Sequence, residues 1–222
     1  MPGVTCAVTS LSQRLRDATR EAHERAESAP FVTRLLAGEY PLEAYAGLVA
    51  QNHAVYVALE AVTPRWAGDP VGGPFVCPEL LRREALERDL ATLLGRHWTT
   101  TAATLVQPAT IRYAAALHES AGTDAAAFVA HHYVRYLGDL SGGQIVARRV
   151  AEVFGAPGRA ATAFYSFDAI ARIKPYRDDY RARLDAAPLD AAGRDRLVGE
   201  ARRAFAFNTE VFLDLGRWAD AL

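Results

Sequence analysis

The chain is poor in several residue types, and each shortage excludes something. It has two cysteines, Cys6 and Cys77, too few for a disulfide framework or a structural zinc site. That fits a reducing, cytoplasmic setting. No stretch approaches the ~20 consecutive apolar residues that span a bilayer, and the N-terminus lacks a basic region followed by an apolar core. No membrane anchor is therefore expected. Charge of one sign is also missing: the net charge is −1, which gives no general reason to expect nucleic acid as a partner. Lysine is nearly absent. Of 25 cationic side chains only Lys174 is a lysine, so any anion site must be built from arginine.

What is present is apolar and helical. Half of the 222 residues are hydrophobic, enough to bury a sizeable core. Leu11, Leu15, Ala18, Ala22 and Ala26 recur with helical period. Phe31 to Ala37 reads as a short helix closed by Gly38, and Pro41 opens a longer one that stops before Pro64. A loop dense in Pro and Gly follows, and Pro78 is expected to start a helix ending at Gly95. Residues 96–107 are ambiguous, because TTTAATLV reads as a strand in isolation but has no partner. Pro108 to Ser120 is expected to be helical. Thr123 or Asp124 should cap a central helix running to about Phe154. Two further helices are expected, Asp168 to Leu184 with an interruption at Pro175, and Asp190 to about Trp218. The fold class is all-α, one domain of seven to nine helices over 11–222, after an N-terminal arm over 1–10.

The central helix carries an anomaly. Gly138, Gly142 and Gly143 fall within six residues of RYLGDLSGGQ, although the flanking sequence is strongly helical. Each helical glycine costs roughly 0.5–1 kcal/mol against alanine. Gly138 and Gly142 are four apart and share a face. Bare backbone there permits close contact with something flat, and it weakens the helix enough to bend. Close helix packing through small residues is the competing account, but it leaves Arg135 and Asp139 beside the glycines unexplained. A phosphate loop is a weaker reading still, because GDLSGG lacks the Walker spacing and the Lys-Ser/Thr that follows it.

A second pattern lies in the first helix. Arg16, Arg20, His23 and Glu27 are spaced four, three and four, forming one stripe. Ala22 and Ala26 flank His23 with small side chains, which would let a neutral imidazole reach a metal from a half-buried position. The arginines suit a cofactor with carboxylates at its edge. Glu27 is either a surface pair of His23 or the group that orients its ring. A solvated charged face accounts equally well for the stripe taken alone.

Together these segments resemble the heme oxygenase family. YVRYLGDLSGGQ (133–144) resembles its distal-helix signature almost residue for residue, and LRDATREAHERAE (15–27) resembles its proximal helix. VYVALE (55–60), KPYRDDYRARL (174–184) and AFAFNTEVF (204–212) match further family segments in order, so the resemblance spans roughly residues 11–215. It implies heme sandwiched between a proximal and a kinked distal helix, as cofactor and substrate at once. Dioxygen and external electrons would be consumed and biliverdin, carbon monoxide and ferrous iron released.

Residue by residue, the resemblance implies His23 as the iron ligand supported by Glu27, with Gly138 and Gly142 against the bound oxygen and Gly143 making room for the bend. Asp139 would hold ordered water, with Tyr56 and Arg135 in the same network. Arg16, Arg20, Arg177 and Arg181 would meet the propionates, Tyr133 would pack at the heme edge, and Phe205, Asn208 and Phe212 would line the back of the pocket. The implied partners are a ferredoxin with its reductase or a flavin reductase, and the implied state is a monomer. The chain departs from the pattern in two ways. Arginines stand where many members have lysines, and Val134 stands where some have threonine. A non-catalytic heme carrier or sensor is the rival reading. It needs His23 and a pocket but not Asp139.

Overall fold

The structure, a computed structural model, describes residues 9–222. Cys6 and most of the expected N-terminal arm lie outside them. Ser10 is inside and belongs to the domain. Its side chain accepts from the backbone N–H of Gln13 and caps α1 (Leu11–Glu27). Leu11, Leu15 and Thr19 form the buried face of that helix, and Ala18, Ala22 and Ala26 pack at its margin.

Ten α-helices and no strand form the described residues. After α1 come α2 (Pro30–Ala37), ended by Gly38 at φ 80°, and α3 (Leu42–Val62). The α3 helix is buried on nearly all sides and forms the central post of the core. The Pro/Gly-rich stretch that follows is an ordered series of short turns. Asp69 accepts from Val71 N and Gly72 N, and the Trp66 indole donates to Ala121 O at 2.8 Å. Pro78 does not start a long helix. It opens a single turn, Pro78–Leu80, and α4 runs Arg83–Leu94. The reason is Glu60, whose Oε1 accepts from Arg82 N at 2.6 Å and Arg83 N at 3.2 Å and fixes where α4 begins.

The ambiguous segment is helical, as α5 (Trp98–Leu105), followed by α6 (Pro108–Ala116). The central helix is compound. Asp124, not Thr123, caps α7 (Ala125–His132), accepting from Ala126 N and Ala127 N. A π-helical turn over Tyr133–Leu137 then leads into α8 (Gly138–Ala160), which breaks at Gly155 (φ 62°) and continues for one more turn. The α9 helix (Ile173–Ala186) begins later than expected, and Pro175 causes no interruption. It sits in the first turn, where its missing N–H is not needed. Last comes α10 (Ala191–Ala219), capped by Asp190, which packs along α1 and α7 and against α2, α3 and α6. No described helix is long and apolar enough to cross a membrane.

Candidate active site

One cleft of about 720 Å³ opens where α1, α9 and α10 meet the compound helix. That size suits a small-molecule or cofactor site. From α1 it takes Arg16, Arg20, His23 and Glu27, the whole stripe, together with Ser12, Gln13, Thr19 and Glu24. From the compound helix it takes Tyr133, then Val134, Leu137, Gly138 and Ser141, whose intervals of three, one and three mark one helical face. Arg177 and Arg181 enter from α9, and Phe205 from α10.

His23 is 47 % exposed, the half-buried position expected, and its exposed side is the wall of the cleft. Its Nδ1 lies 3.4 Å from Glu27 Oε2, and its ring meets Phe205 edge-on at 5.9 Å. That leaves Nε2 without a protein partner. A Cβ at Gly138 would meet no protein atom within 4 Å and would project into open space. The glycine therefore keeps a space clear and does not serve helix packing. Arg177 has a buried Nε with no partner, and burial pulls its guanidinium below the usual range. A buried donor left unpaired beside a cleft suits an anionic ligand group. Arg20 pairs with Asp17 at 2.8 Å and Arg181 with Asp178 at 3.0 Å.

Behind the cleft wall lies a polar cluster. Tyr56, fully buried on α3, donates its hydroxyl to Asp139 Oδ2. Arg135 stacks over the Tyr56 ring at 5.0 Å and donates to Asn208 Oδ1 (3.0 Å) and Asn52 Oδ1 (2.8 Å). Its Nε is buried and unpartnered. Burial raises the Asp139 carboxyl above its ordinary range, outweighing Arg135, the Tyr56 hydrogen bond and Arg82. Burial opposes the charge on Arg135, yet Tyr56 and Asp139 outweigh it and hold the guanidinium firmly protonated. A carboxyl with a raised pKa beside a bare backbone position can hold and release a proton.

Four expected site residues sit elsewhere. Gly143 is buried against Tyr165, whose Cδ1 would lie 3.1 Å from an added Cβ, so it is a packing glycine. Gly142 has open space around it but is not among the residues that line the cleft. Asn208 does not line the pocket; it accepts from Arg135. Phe212 packs against the core. Seven residues separate it from Phe205, which carries it roughly 10 Å further along the helix axis. Asn52, Ser141 and Glu24 were missed. Only Ser141 had a readable signal, as it shares a helical face with Gly138. The bend has a cause that the glycines did not reveal, the π turn directly before Gly138. Among the described residues no group of three or more His, Cys, Asp or Glu could hold a metal.

The heme oxygenase family profile matches residues 9–214. The chain is 37% identical to heme oxygenase 1 of Rattus norvegicus over 207 residues, 92% of this chain and 71% of that protein. It is 34% identical to heme oxygenase 1 of Nostoc sp., over 93% of this chain and 86% of that one. Among solved structures it superposes on heme oxygenase-1 of Synechocystis sp. in complex with heme. The TM-score is 0.87 with 33% identity, covering 96% of each chain. A cleft faced by one histidine and one bare glycine, on a chain matched over nearly its whole length, thus belongs to a member of the heme oxygenase family.

Proposed function

We propose that the protein opens heme to biliverdin, carbon monoxide and ferrous iron, consuming dioxygen and electrons from an external donor. The observation that carries this reading is the arrangement around Gly138: the bare position opens into the cleft that His23 also lines, and the next residue, Asp139, joins a part-buried polar cluster.

The residues fit the group. His23 would hold the iron through Nε2 while Glu27 fixes the ring through Nδ1. Arg16, Arg20, Arg177 and Arg181 would receive the propionates, with the unpartnered Arg177 Nε supplying a ready donor. Tyr133 and Phe205 would flank the ring edges. Heme, when bound, supplies the iron that takes dioxygen and electrons, and its own macrocycle is what is cleaved. The chain's part is orientation and proton supply. The bare position at Gly138 would leave room for dioxygen while the neighbouring backbone limits its orientation. Asp139, held by Tyr56 on one oxygen, has the other available to order water and deliver protons. A carrier or sensor has no use for that carboxyl, so the cluster favours catalysis. The catalytic unit assigned here is a monomer. The arginine-rich mouth suits an acidic electron donor such as a ferredoxin, with a flavin reductase the other candidate.

A single-turnover assay tests the reading. Heme-loaded protein is given reductant under oxygen and the products are separated by chromatography. Biliverdin and carbon monoxide are expected from the wild-type chain. Asp139→Ala should bind heme with little ring opening. Heme that persists intact through excess reductant in the wild-type protein would overturn the proposal.

A further inference from the structure

Behind the cleft wall, two helices pair their polar side chains crosswise. Arg135 and Asp139 are four residues apart on the compound helix, the spacing at which opposite charges ordinarily bond along one face. These two do not bond each other. Asp139 accepts from the Tyr56 hydroxyl, while Arg135 gives Nη2 to Asn52 Oδ1 at 2.8 Å and Nη1 to Asn208 Oδ1 at 3.0 Å. Asn52 and Tyr56 are themselves four apart on α3 and share a face. Position 52 thus meets 135 and position 56 meets 139, and Asn208 holds the guanidinium from a third helix, α10.

The chemistry of those two acceptors sets what the cation can do. A carboxylate bonded to a guanidinium neutralises it, whereas an amide oxygen fixes it in place and leaves its charge intact. Arg135 therefore acts on Asp139 through space and not by contact. The other ionisable groups that face the pair are Tyr56 from α3, Tyr113 from α6, Tyr136 on the π turn, Tyr165 in the turn after α8, and Arg82 ahead of α4. Arg82 is tied to the carbonyls of Leu80, Leu81, Phe164 and Ser166, so it cannot take the place of Arg135. With Arg135 held off, burial outweighs the cations and the Asp139 carboxyl sits above its ordinary range. A direct ion pair would reverse that, since a cation in contact lowers a carboxyl by about 1–3 units. It would also occupy the oxygen that Tyr56 leaves open.

We propose that Asn52, with Asn208, is a positioning residue for ring opening: the two amides restrain Arg135 from collapsing onto Asp139 and so leave that carboxyl free to hold a transferable proton. This rests on the heme-opening reading above. Asn52 does not line the cleft and acts only through Arg135. The restraint needs an acceptor that carries no charge, which is what an amide at each of the two positions supplies.

The test uses the full chain. Asn52→Leu removes one acceptor and frees Arg135 to bond Asp139. In the heme-free protein the Asp139 carboxyl is followed by carbon-13 NMR of labelled aspartate, with Asp139→Asn identifying its resonance. It should titrate about one unit or more lower in Asn52→Leu than in wild type. Loaded with heme, the same variant should keep the wild-type absorption spectrum and open the ring roughly tenfold more slowly in a single turnover at neutral pH. Asn208→Leu should do the same, and it stands in if Asn52→Leu folds poorly. Asn52→Gln keeps an uncharged acceptor and should retain most of the rate. Adding Arg135→Met to Asn52→Leu removes the cation, so Asp139 should then titrate at or above its wild-type position, a reversal that a merely structural Asn52 would not produce. Wild-type titration of Asp139 in both leucine variants would overturn the inference, as would a drop that persists once Arg135 is gone. Absence of biliverdin from the wild-type chain would reject the underlying activity, a separate outcome, while the NMR titration still decides the restraint.

Discussion

Two of the three glycines in RYLGDLSGGQ can be told apart by what a methyl group would meet. At Gly138 it would meet nothing in the protein and would intrude on the cleft, whereas at Gly143 it would press on Tyr165 at 3.1 Å. Opposite consequences follow. Gly138→Ala should fold at least as stably as wild type, by up to ~1 kcal/mol from helix propensity, while losing much of its ring opening. Gly143→Ala should lower the melting temperature with smaller effect on the chemistry per folded molecule. Thermal unfolding alongside the turnover assay checks both, and a Gly138→Ala protein that is unstable yet fully active would reverse the assignment. His23 is argued in the same way. Its Nε2 has no protein partner and its Nδ1 contact to Glu27 is on the helix surface. His23→Ala should therefore cost little stability but abolish the histidine-ligated heme spectrum. An unchanged spectrum would remove His23 as the ligand.

The elements show what holds those residues in place. One such anchor is Asp89 on α4, which holds the turn that follows α8. It is fully buried and accepts from Ala163 N and Phe164 N, both at 2.8 Å. Removing the carboxylate would strand two backbone donors. Asp89→Ala should cost roughly 2–4 kcal/mol, read by urea denaturation, with Asp89→Asn costing less because it keeps one acceptor. A loss below ~1 kcal/mol would mean that water replaces the carboxylate. Little of this was legible beforehand. Helix starts marked by Asp124 and Asp190 could be read because a cap acts within three residues, whereas Ser10, which caps α1, was assigned to the N-terminal arm. Glu60 fixes the start of α4 from 22 positions away, so Pro78 looked like a helix start and was not. The π turn at Tyr133–Leu137 is a shift in hydrogen-bond register with no composition of its own, and the glycines were credited with the whole bend. The stripe on α1 was legible because it lies on a single helix. Asn52, Asn208 and Phe212 were not, because their places depend on how three helices cross.

At the scale of the whole molecule, the buried ionisable groups pull stability in opposite directions with pH. Burial raises Asp139, Asp89 and Glu60, so the fold holds those protons more tightly than the unfolded chain. Their contribution is present at low pH and is lost as pH rises through their raised values. His132 does the reverse. It is enclosed by Phe75, Phe128, Tyr136 and Tyr180, with Nδ1 2.8 Å from the Tyr180 hydroxyl. Burial, helped by Arg183, pushes its imidazole down to about 3. Below about pH 6.5 the unfolded chain takes up a proton that the folded chain refuses, so the fold loses about 1.4 kcal/mol per pH unit on this account. His131, lowered chiefly by burial, adds to the same trend. His132→Gln removes the largest of these terms. Denaturant unfolding of wild type and variant at pH 7, 6, 5 and 4 should show the variant weaker at pH 7, where the Tyr180 contact is intact in the wild type. It should then gain on the wild type by about 1.4 kcal/mol for each unit below 6.5. Parallel stability curves across that range would mean that His132 is protonated in the fold, which its apolar enclosure argues against.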